Sequence, residues 1–361
     1  MKLKSTASII RFHGGLSLTE LRVLRLNRKE MMDFSSNLNP LGIPLGVKKA
    51  LEGLDLSCYP DPENLELKEA LAPVAGVQPD QIVIGNGSTE LIYLLAHAFL
   101  KKRDVVVILT PTFGEYEIAA RLAQTKITVV PSEENKRFIW DTKKVSQQIK
   151  KCQPAMVFLC NPNNPTGVYI DRAGVEIILS SMGKGLLVLD EAYITFVQNS
   201  WNACELLSSK NVVILRSLTK NYALAGLRLG YALCPSDVAK ILVEYQPTWS
   251  VNLAAQVAGA AALTEDQYLL RSKNSIEEGK DYLQKSLEGL GYKVFPSAAN
   301  FLLVKVGDAP LLRYHLLTKG ICVRDCSSFG LPEYIRIGVR TVEECKQLIS
   351  GIKEVMLDQQ K

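Results

Sequence analysis

The chain has 361 residues, of which 47% are hydrophobic and 22% are charged, a balance typical of a soluble globular enzyme with about two domains. The formal net charge is +5, but the basic residues are spread along the sequence, and the densest group is Lys101-Lys102-Arg103. We therefore expect no nucleic-acid partner and instead an attraction for small anionic molecules.

The cysteines and the amino-terminal sequence indicate a cytoplasmic location. None of the eight cysteines forms a CxxC pair, so neither a zinc site nor a disulfide framework is expected. The first residues, MKLKSTASIIRF, are basic but lack the apolar stretch of a signal peptide, and no apolar run approaches the roughly 18 residues that cross a membrane. We expect a cytoplasmic protein with no metal site and no membrane partner.

In chain order, the first part of the sequence predicts an amino-terminal arm. HGG at residues 13–15 precedes a leucine-rich amphipathic stretch at residues 16–26, which we expect to pack on the body of the protein. Residues 32–42, MDFSSNLNPLG, are dense in Asn, Pro and Gly and predict an extended, turning segment. Asn37 and Asn39 could donate hydrogen bonds to a ligand there, and a structural role in a turn fits each of them equally well.

From residue 46 the pattern changes to alternating helices and strands. Continuous apolar strands in such an alternation predict an α/β domain with a mostly parallel sheet that is covered on both faces. The predicted strands are residues 82–84, 105–109, 127–130, 156–160, 186–189, 212–215 and 230–233. The predicted helices are residues 46–54, 65–71, 88–100, 114–124, 141–151, 173–182 and 236–245.

Polar turns follow five of these strands directly. They are GNGST at residues 85–89, TPTF at 110–113, NPNNPTG at 161–167, DEAY at 190–193 and SLTK at 217–220. In open α/β sheets the carboxyl ends of the strands form the ligand crevice, so we expect these turns to converge on one site.

The first of these turns suits a phosphate. Gly87, Ser88 and Thr89 open a predicted helix, where free backbone N–H groups and the helix dipole favour an anion. No Lys-Ser/Thr pair follows, which excludes a nucleoside-triphosphate loop, and LAGLRLG at residues 224–230 differs from the dinucleotide-binding GxGxxG pattern. No GxSxG sequence occurs, so a serine hydrolase would lack its nucleophile elbow.

The stretch RSLTKNYALAGLRLGY, at residues 216–231, concentrates the chemistry of the chain. Ser217 and Thr219 offer hydroxyl groups beside the primary amine of Lys220. Arg228 adds a guanidinium, so an anion and an electrophile could be held together here. A lone lysine would more simply be a solvated loop residue, but in this company Lys220 is a candidate to form a Schiff base.

Asp190 and Phe113 extend this hypothesis to a particular cofactor. A carboxylate at the end of a buried strand is costly unless it meets a cation or a donor, and a protonated pyridine nitrogen is such a partner for Asp190. Capping a helix is the structural alternative. Phe113 could be an aromatic plate for a planar ring or a core residue. Together with Lys220 and a phosphate cup, these residues describe a site for pyridoxal 5′-phosphate.

After residue 250 helices and strands no longer alternate regularly, which predicts a smaller α+β domain. Helices are predicted at residues 252–263, 266–290 and 311–319, strands are predicted within 292–306 and at 321–323, and residues 342–357 close the domain. We therefore divide the chain into residues 1–45, an arm and part of the small domain; 46–250, a large cofactor-binding domain; and 251–361, a small carboxy-terminal domain.

The ordered motifs GNGSTE, TPTFGEY, NPNNPTG, LDEAY, SLTK and GLRLGY resemble those of the fold type I pyridoxal phosphate enzymes, aminotransferase class I/II. The resemblance covers most of the chain and implies a large domain with a mostly parallel sheet and a smaller α+β domain. It implies that Lys220 carries the cofactor as a Schiff base and that Asp190 pairs with the pyridine nitrogen. Asn164 and Tyr193 would hold the ring oxygen, and Phe113 would stack on the ring.

The resemblance also implies the remaining contacts. The cofactor phosphate would be held by Ser88, Ser217 and Arg228, beside Gly87 and Thr89 of the helix start, with Tyr59 reaching it from the partner subunit of a homodimer. The phosphate and carboxylate of a small phosphorylated amino acid would be bound by His13, Asn37, Asn164, Arg324 and Arg336.

Three further stretches are similar to the threonine-phosphate decarboxylase branch of that family, which serves cobalamin biosynthesis. They are HGG with DFSSNLNPLG, PTWSVN at residues 247–252 and VRDCSSFG at residues 323–330. This similarity implies decarboxylation of L-threonine O-3-phosphate, or of L-serine O-phosphate, to the amino-alcohol phosphate. Leu16 and Cys58 depart from residues that are frequent in this branch and leave the side chain of the substrate open. The alternative is amino transfer, as in the sister branch of histidinol-phosphate aminotransferases.

Overall fold

Two β-sheets, one of seven strands and one of four, organise the part of the chain that the computed structural model describes, residues 14–358. His13, predicted as a substrate ligand, lies outside the described residues. No helix between residues 14 and 358 combines the length and the apolar character needed to cross a membrane.

Helices and strands alternate through most of the described chain. The helices are α1 Leu18–Val23, α2 Leu45–Leu51, α3 Leu65–Ala75, α4 Gly87–Phe99, α5 Glu115–Leu122, α6 Thr142–Cys152, α7 Arg172–Leu179, α8 Leu218–Asn221, α9 Ser236–Tyr245, α10 Leu253–Ala262, α11 Asp266–Gly289, α12 Ala309–Thr318 and α13 Val342–Asp358. The strands are β1 Met32–Asp33, β2 Ile82–Asn86, β3 Val105–Thr110, β4 Lys126–Pro131, β5 Met156–Cys160, β6 Leu186–Asp190, β7 Val212–Ser217, β8 Leu229–Leu233, β9 Lys293–Phe295, β10 Phe301–Lys305, β11 Ile321–Cys322, β12 Arg324–Asp325 and β13 Tyr334–Gly338.

The large sheet has the strand order β2-β8-β7-β6-β5-β3-β4. Its strands run parallel except for β8, which is antiparallel to both of its neighbours, β2 and β7. The predicted mostly parallel sheet is therefore confirmed. Each of the seven predicted strands belongs to it, and β5 has the predicted bounds. Burial on both faces makes such strands continuously apolar, which is why the sequence identifies them.

Helices cover the large sheet on both faces, so its strands lie between two hydrophobic layers. On one face, Leu95 of α4 is fully buried in a cluster with Phe158 of β5. On the other, Leu71 of α3 belongs to a cluster with Val157, the preceding residue of β5. The carboxyl ends of the parallel strands emerge from between these layers at one edge of the sheet, where the polar turns lie.

The small domain is built on the antiparallel sheet β12-β13-β10-β9. Helices α11, α12 and α13 pack together beside this sheet, and Leu283, Leu316 and Leu348 are fully buried in their shared core. The amino-terminal segment joins this domain because β1 pairs in parallel with β11. The predicted α+β architecture is confirmed.

The packing of α10 bears on the domain boundary. Helix α10 contacts α2 and α3, and its buried Ala255, Ala258 and Ala262 share a core with Leu229 of the large sheet. We therefore propose that the large domain extends through Ala262 rather than ending at residue 250. The other limits of the division into residues 1–45, 46–250 and 251–361 stay predictions.

Strand β13 of the small sheet was not predicted from the sequence. Strand β13 is five residues long and carries Arg336 at its centre, so its hydrophobic pattern is interrupted by a charge. Arg336 does not lie at an end of this strand. It lies in mid-strand, opposite Arg324 of β12. Cross-strand pairing brings two cations side by side here, and such pairing cannot be read from sequence spacing.

Candidate active site

The five polar turns do converge on one cavity, at the carboxyl ends of the parallel strands. The cavity has a volume of about 720 Å³, within the ordinary range for a small-molecule site. The predicted site residues that line it are Asn37, Gly87, Ser88, Thr89, Phe113, Asn164, Asp190, Tyr193, Ser217, Lys220, Arg228, Arg324 and Arg336. Tyr59 does not line it.

Lys220 lies in the short helix α8, directly after strand β7. Burial lowers the pKa of Lys220 to about 8, and the positive charges of Arg336 and Arg228 act in the same direction. Asp190 opposes this shift by favouring the charged form. At pH 7 roughly a tenth of the amine is therefore neutral and nucleophilic, far more than for a lysine with its ordinary pKa, and this neutral form is the one that forms a Schiff base.

Asp190 ends strand β6 with its side chain only 3% exposed. Its Oδ2 accepts a 2.7 Å hydrogen bond from the Tyr116 hydroxyl, and its Oδ1 accepts a 3.0 Å bond from the backbone N–H of Ala192. Burial raises the pKa of Asp190, while these two donors and Lys220 favour the carboxylate. A cation bound beside Asp190 would offset the cost of burying this charge.

Tyr116 is a site residue that the sequence analysis missed. It is fully buried in α5, stacks on Phe158 at a centroid distance of 4.9 Å and meets Phe113 edge-on at 5.7 Å. The only sequence signal was its place in the TPTFGEY motif, where it follows Phe113 by three residues. Phe113 and Tyr116 both line the cavity, and Tyr116 also donates to Asp190, so one segment supplies a ring contact and a partner for the carboxylate.

The first turn of α4 forms an anion cup with Arg228. A Cβ atom on Gly87, which has φ +78°, would lie 2.7 Å from Nη2 of Arg228, so only glycine lets this guanidinium reach the helix start. Ser217 and Thr219 join the cup with hydroxyl groups 2.6 Å apart. Free N–H groups, two hydroxyls and a guanidinium fit a phosphate monoester.

A second group of polar side chains links the cavity to the amino-terminal segment. The Asn37 amide donates a 3.2 Å hydrogen bond to the Tyr193 hydroxyl. Arg336 Nη1 donates to Asn164 Oδ1. These contacts leave the Tyr193 O–H and the Asn164 amide N–H able to donate to a ring oxygen. Asn37 Oδ1 is buried and has no partner among the described residues, so it can accept from a ligand.

Arg324 and Arg336 form the cationic end of the cavity. Their residues are 8% and 5% exposed, and they face each other across strands β12 and β13. Arg336 Nη2 donates 2.8 Å to the Ser35 carbonyl, and Arg324 Nη2 donates 2.6 Å to the Ser328 hydroxyl. Burial and the positive charge of Arg336 lower the pKa of Arg324. Two neighbouring guanidinium groups predict a doubly anionic ligand.

Tyr59 lies apart from the cavity, on the surface. Its residue is 77% exposed and its ring stacks on Trp249 at a centroid distance of 4.4 Å. Trp249 is itself 47% exposed and adopts a positive φ of 59°, which is unusual for a bulky residue. Within one chain, Tyr59 is not part of the site.

The donor set fits pyridoxal 5′-phosphate in each of its parts. The anion cup suits the phosphate, Asp190 suits a protonated ring nitrogen, and Lys220 suits the aldehyde. Residues 14–358 contain no group of three or more His, Cys, Asp or Glu side chains arranged to hold a metal ion.

Several curated proteins are similar to this chain over most of its length. A histidinol-phosphate aminotransferase of Moorella thermoacetica is 35% identical over 92% of this chain and 87% of its own length. The adenosylcobalamin biosynthesis bifunctional protein CobDQ of Leptospira interrogans is 34% identical over 95% of this chain and 41% of its own length.

Solved structures that have a fold similar to that of this chain include two enzymes of different activity. A histidinol-phosphate aminotransferase from Sinorhizobium meliloti, in complex with pyridoxal 5′-phosphate, has a TM-score of 0.86 at 24% identity and covers 94% of each chain. The L-threonine-O-3-phosphate decarboxylase from Porphyromonas gingivalis has a TM-score of 0.78 at 27% identity, over 90% of this chain and 98% of that chain.

The family model of aminotransferase class I and II matches residues 29–352 of this chain. This match spans both sheets and all five polar turns. The fold is that of the fold type I pyridoxal phosphate enzymes, and the cofactor is pyridoxal 5′-phosphate. This chain belongs to the aminotransferase class I and II family.

Proposed function

We propose that this protein is a pyridoxal phosphate-dependent decarboxylase that acts on L-threonine O-3-phosphate or L-serine O-phosphate and serves cobalamin biosynthesis in the cytoplasm. The observation that carries this proposal is the pair of adjacent buried guanidinium groups, Arg324 and Arg336, in the same cavity as Lys220. Such a substrate carries a phosphate and a carboxylate, and each anion can pair bidentately with a planar guanidinium.

The cavity residues divide between cofactor and substrate in this proposal. Ser88, Ser217 and Arg228 hold the cofactor phosphate, with Gly87 and Thr89 completing the cup. Asp190 pairs with the ring nitrogen, Asn164 and Tyr193 donate to the ring oxygen, and Phe113 stacks on the ring. Asn37, whose Oδ1 can accept a hydrogen bond, takes part in substrate binding beside the two arginines.

When bound, the cofactor supplies an electron-withdrawing ring that stabilises negative charge at the α-carbon of the substrate. Arg324 and Arg336 orient the substrate, and this orientation decides which bond at the α-carbon is weakened. Lys220, with a pKa lowered to about 8, can both accept and donate a proton near neutral pH. Its amine is therefore suited to deliver the proton that replaces carbon dioxide.

Amino transfer is the second candidate function. The 35% identical relative is a histidinol-phosphate aminotransferase, and this similarity favours amino transfer over decarboxylation. The same lysine and carboxylate would serve either reaction, and the difference would lie in how the substrate is held at the arginines. The bifunctional Leptospira relative and the Porphyromonas decarboxylase structure support the first candidate.

The two candidates predict different products. The holoenzyme, incubated with L-threonine O-3-phosphate alone, is expected to release carbon dioxide and aminopropanol phosphate without forming a keto acid. Histidinol phosphate with 2-oxoglutarate is expected to yield little glutamate. Arg336→Lys should lower the decarboxylation rate about a hundredfold, because a point charge replaces a planar fork and the substrate is misplaced.

The matched control is Arg121→Lys, since Arg121 binds Glu117 through Nε and Nη2 on the surface of α5 and does not line the cavity. This variant should retain its rate. Rapid glutamate formation from histidinol phosphate, with no carbon dioxide from threonine or serine phosphate, would replace the decarboxylase by the aminotransferase and leave the cofactor assignment intact.

We further propose a homodimer in which Tyr59 contacts the cofactor phosphate of the partner subunit. The exposed aromatic pair of Tyr59 and Trp249 supports this, because large exposed aromatic side chains are enriched at interfaces. Tyr59→Phe is expected to weaken cofactor binding about tenfold, the scale of one hydrogen bond to a charged group. Equilibrium dialysis would measure the cofactor Kd and sedimentation the assembly state.

The control is Tyr245→Phe, which alters a half-exposed tyrosine that packs edge-on against His97. Its cofactor Kd should match that of the native protein. A fully active monomer, or an unchanged Kd in Tyr59→Phe, would contradict the shared site.

A further inference from the structure

The amino-terminal arm, defined here as residues 14–26, lies against the small domain and ends at the cavity. Helix α1 is capped by Ser17, whose hydroxyl accepts from the Glu20 N–H. Leu21 is 2% exposed and packs in a small cluster with Leu317 and Cys322. The arm is therefore docked on α12 and β11 through a small apolar contact.

A two-bonded ion pair reinforces this docking. Arg313 of α12 donates from Nη1 to Glu20 Oε1 at 2.5 Å and from Nη2 to Oε2 at 2.6 Å. The hydrogen bonds that Arg313 donates to Glu20 raise the pKa of Arg313. The pair is partly buried, with side-chain exposures of 22% and 31%, so water screens it less than an open surface pair.

Gly14 and Gly15 of the arm lie at the cationic end of the cavity. The Gly15 N–H donates 2.7 Å to the Ser35 hydroxyl, which in turn donates 2.6 Å to Asp33. A Cβ atom on Gly14 would lie 2.4 Å from the Ser35 carbonyl oxygen and 3.1 Å from Arg336 Nη2. The backbone of Gly14 thus packs directly on the contact between Ser35 and Arg336.

The Ser35 carbonyl accepts the 2.8 Å bond from Arg336 Nη2. Anything that shifts Ser35 therefore shifts a hydrogen-bond partner of the guanidinium. The chain of contacts runs from Arg313 through Glu20 and the two glycines to Ser35, and ends at Arg336. It joins a partly buried ion pair to a group in the cavity.

We propose that the Glu20–Arg313 pair is a positioning clamp for substrate binding: it holds Gly14 and Gly15 against Ser35 and thereby fixes the guanidinium of Arg336. The clamp acts on the anion-binding end of the cavity and leaves the cofactor cup untouched, since Gly87 and Arg228 are not among its contacts. The inference rests on the proposed function only in taking Arg336 to bind a substrate anion.

The test is a charge exchange. Glu20→Arg and Arg313→Glu are each expected to raise KM for L-threonine O-3-phosphate about tenfold, the scale of one charge-assisted hydrogen bond. Each should also speed hydrogen exchange of the α1 amides. The double variant, which restores an ion pair with reversed charges, should recover most of both properties. The cofactor Kd should stay at the native value in all three.

Gly14→Ala tests the other end of the clamp. The added methyl group meets the Ser35 carbonyl, so KM should rise while the α1 amides exchange at the native rate. The control is Glu354→Gln, which weakens an exposed pair with Lys319 on the same domain, away from the cavity. Its KM should not change.

The proposal is overturned if α1 exchanges faster in the single charge variants while KM stays native, since the pair would then only fasten the arm. It is equally overturned if the double variant recovers nothing. Should the native holoenzyme not respond to L-threonine O-3-phosphate, the proposed function fails. The same variants are then compared with L-glutamate as the anionic probe, through the change it causes in the visible spectrum of the holoenzyme.

Discussion

Replacing Lys220 with alanine is expected to abolish turnover and covalent attachment of the cofactor. Lys220 is the only lysine among the described residues that line the cavity, so no other amine there can take its place. Its burial also lowers its pKa to about 8, which makes it far more reactive at neutral pH than a solvated lysine. The expected loss is therefore nearly complete.

Spectroscopy and mass measurement check this prediction. The native protein should show a visible absorbance that sodium borohydride bleaches, with the cofactor mass then fixed to the peptide that contains Lys220. Lys240→Ala, a change on the exposed face of α9, is the matched control and should behave as the native protein does. Retained turnover in Lys220→Ala would refute the assignment of this lysine.

The large domain could be predicted from the sequence because its strands are buried on both faces. Residues 156–160 form strand β5 with the predicted bounds, since a short, unbroken apolar run between polar turns is typical of a buried strand. Once the strands are placed, the rule that ligands bind at their carboxyl ends brings Asp190 and Lys220 together. The cavity confirms that placement.

Contacts that depend on pairing or packing could not be predicted in this way. The neighbourhood of Arg324 and Arg336 depends on the register of β12 and β13, and β13 was not recognised because its central residue is charged. The hydrogen bond from Tyr116 to Asp190 joins residues 74 positions apart. Spacing along the chain carries no signal for either contact.

Asp190→Asn is expected to retain the cofactor but to slow turnover by about a hundredfold or more, the scale of a lost electrostatic stabiliser. An amide at this position keeps the size of the side chain; its single oxygen can still accept from the Ala192 N–H, and its NH2 group can donate to the Tyr116 oxygen. It supplies no negative charge to a protonated ring nitrogen, so the ring withdraws electrons less strongly. Steady-state rates at saturating substrate and cofactor would measure the loss.

Tyr116→Phe tests the hydrogen bond to Asp190 without removing the carboxylate itself. This variant keeps the carboxylate but removes the hydroxyl that favours its ionised form, so the pKa of Asp190 should rise further. Turnover should fall about tenfold, and the acid limb of the pH–rate profile should move to higher pH, because the carboxylate then becomes protonated at a higher pH. Native rates in Asp190→Asn would show that no ring cation depends on this carboxylate. An unshifted acid limb in Tyr116→Phe, beside a slow Asp190→Asn, would show that the charge matters but that Tyr116 does not set it.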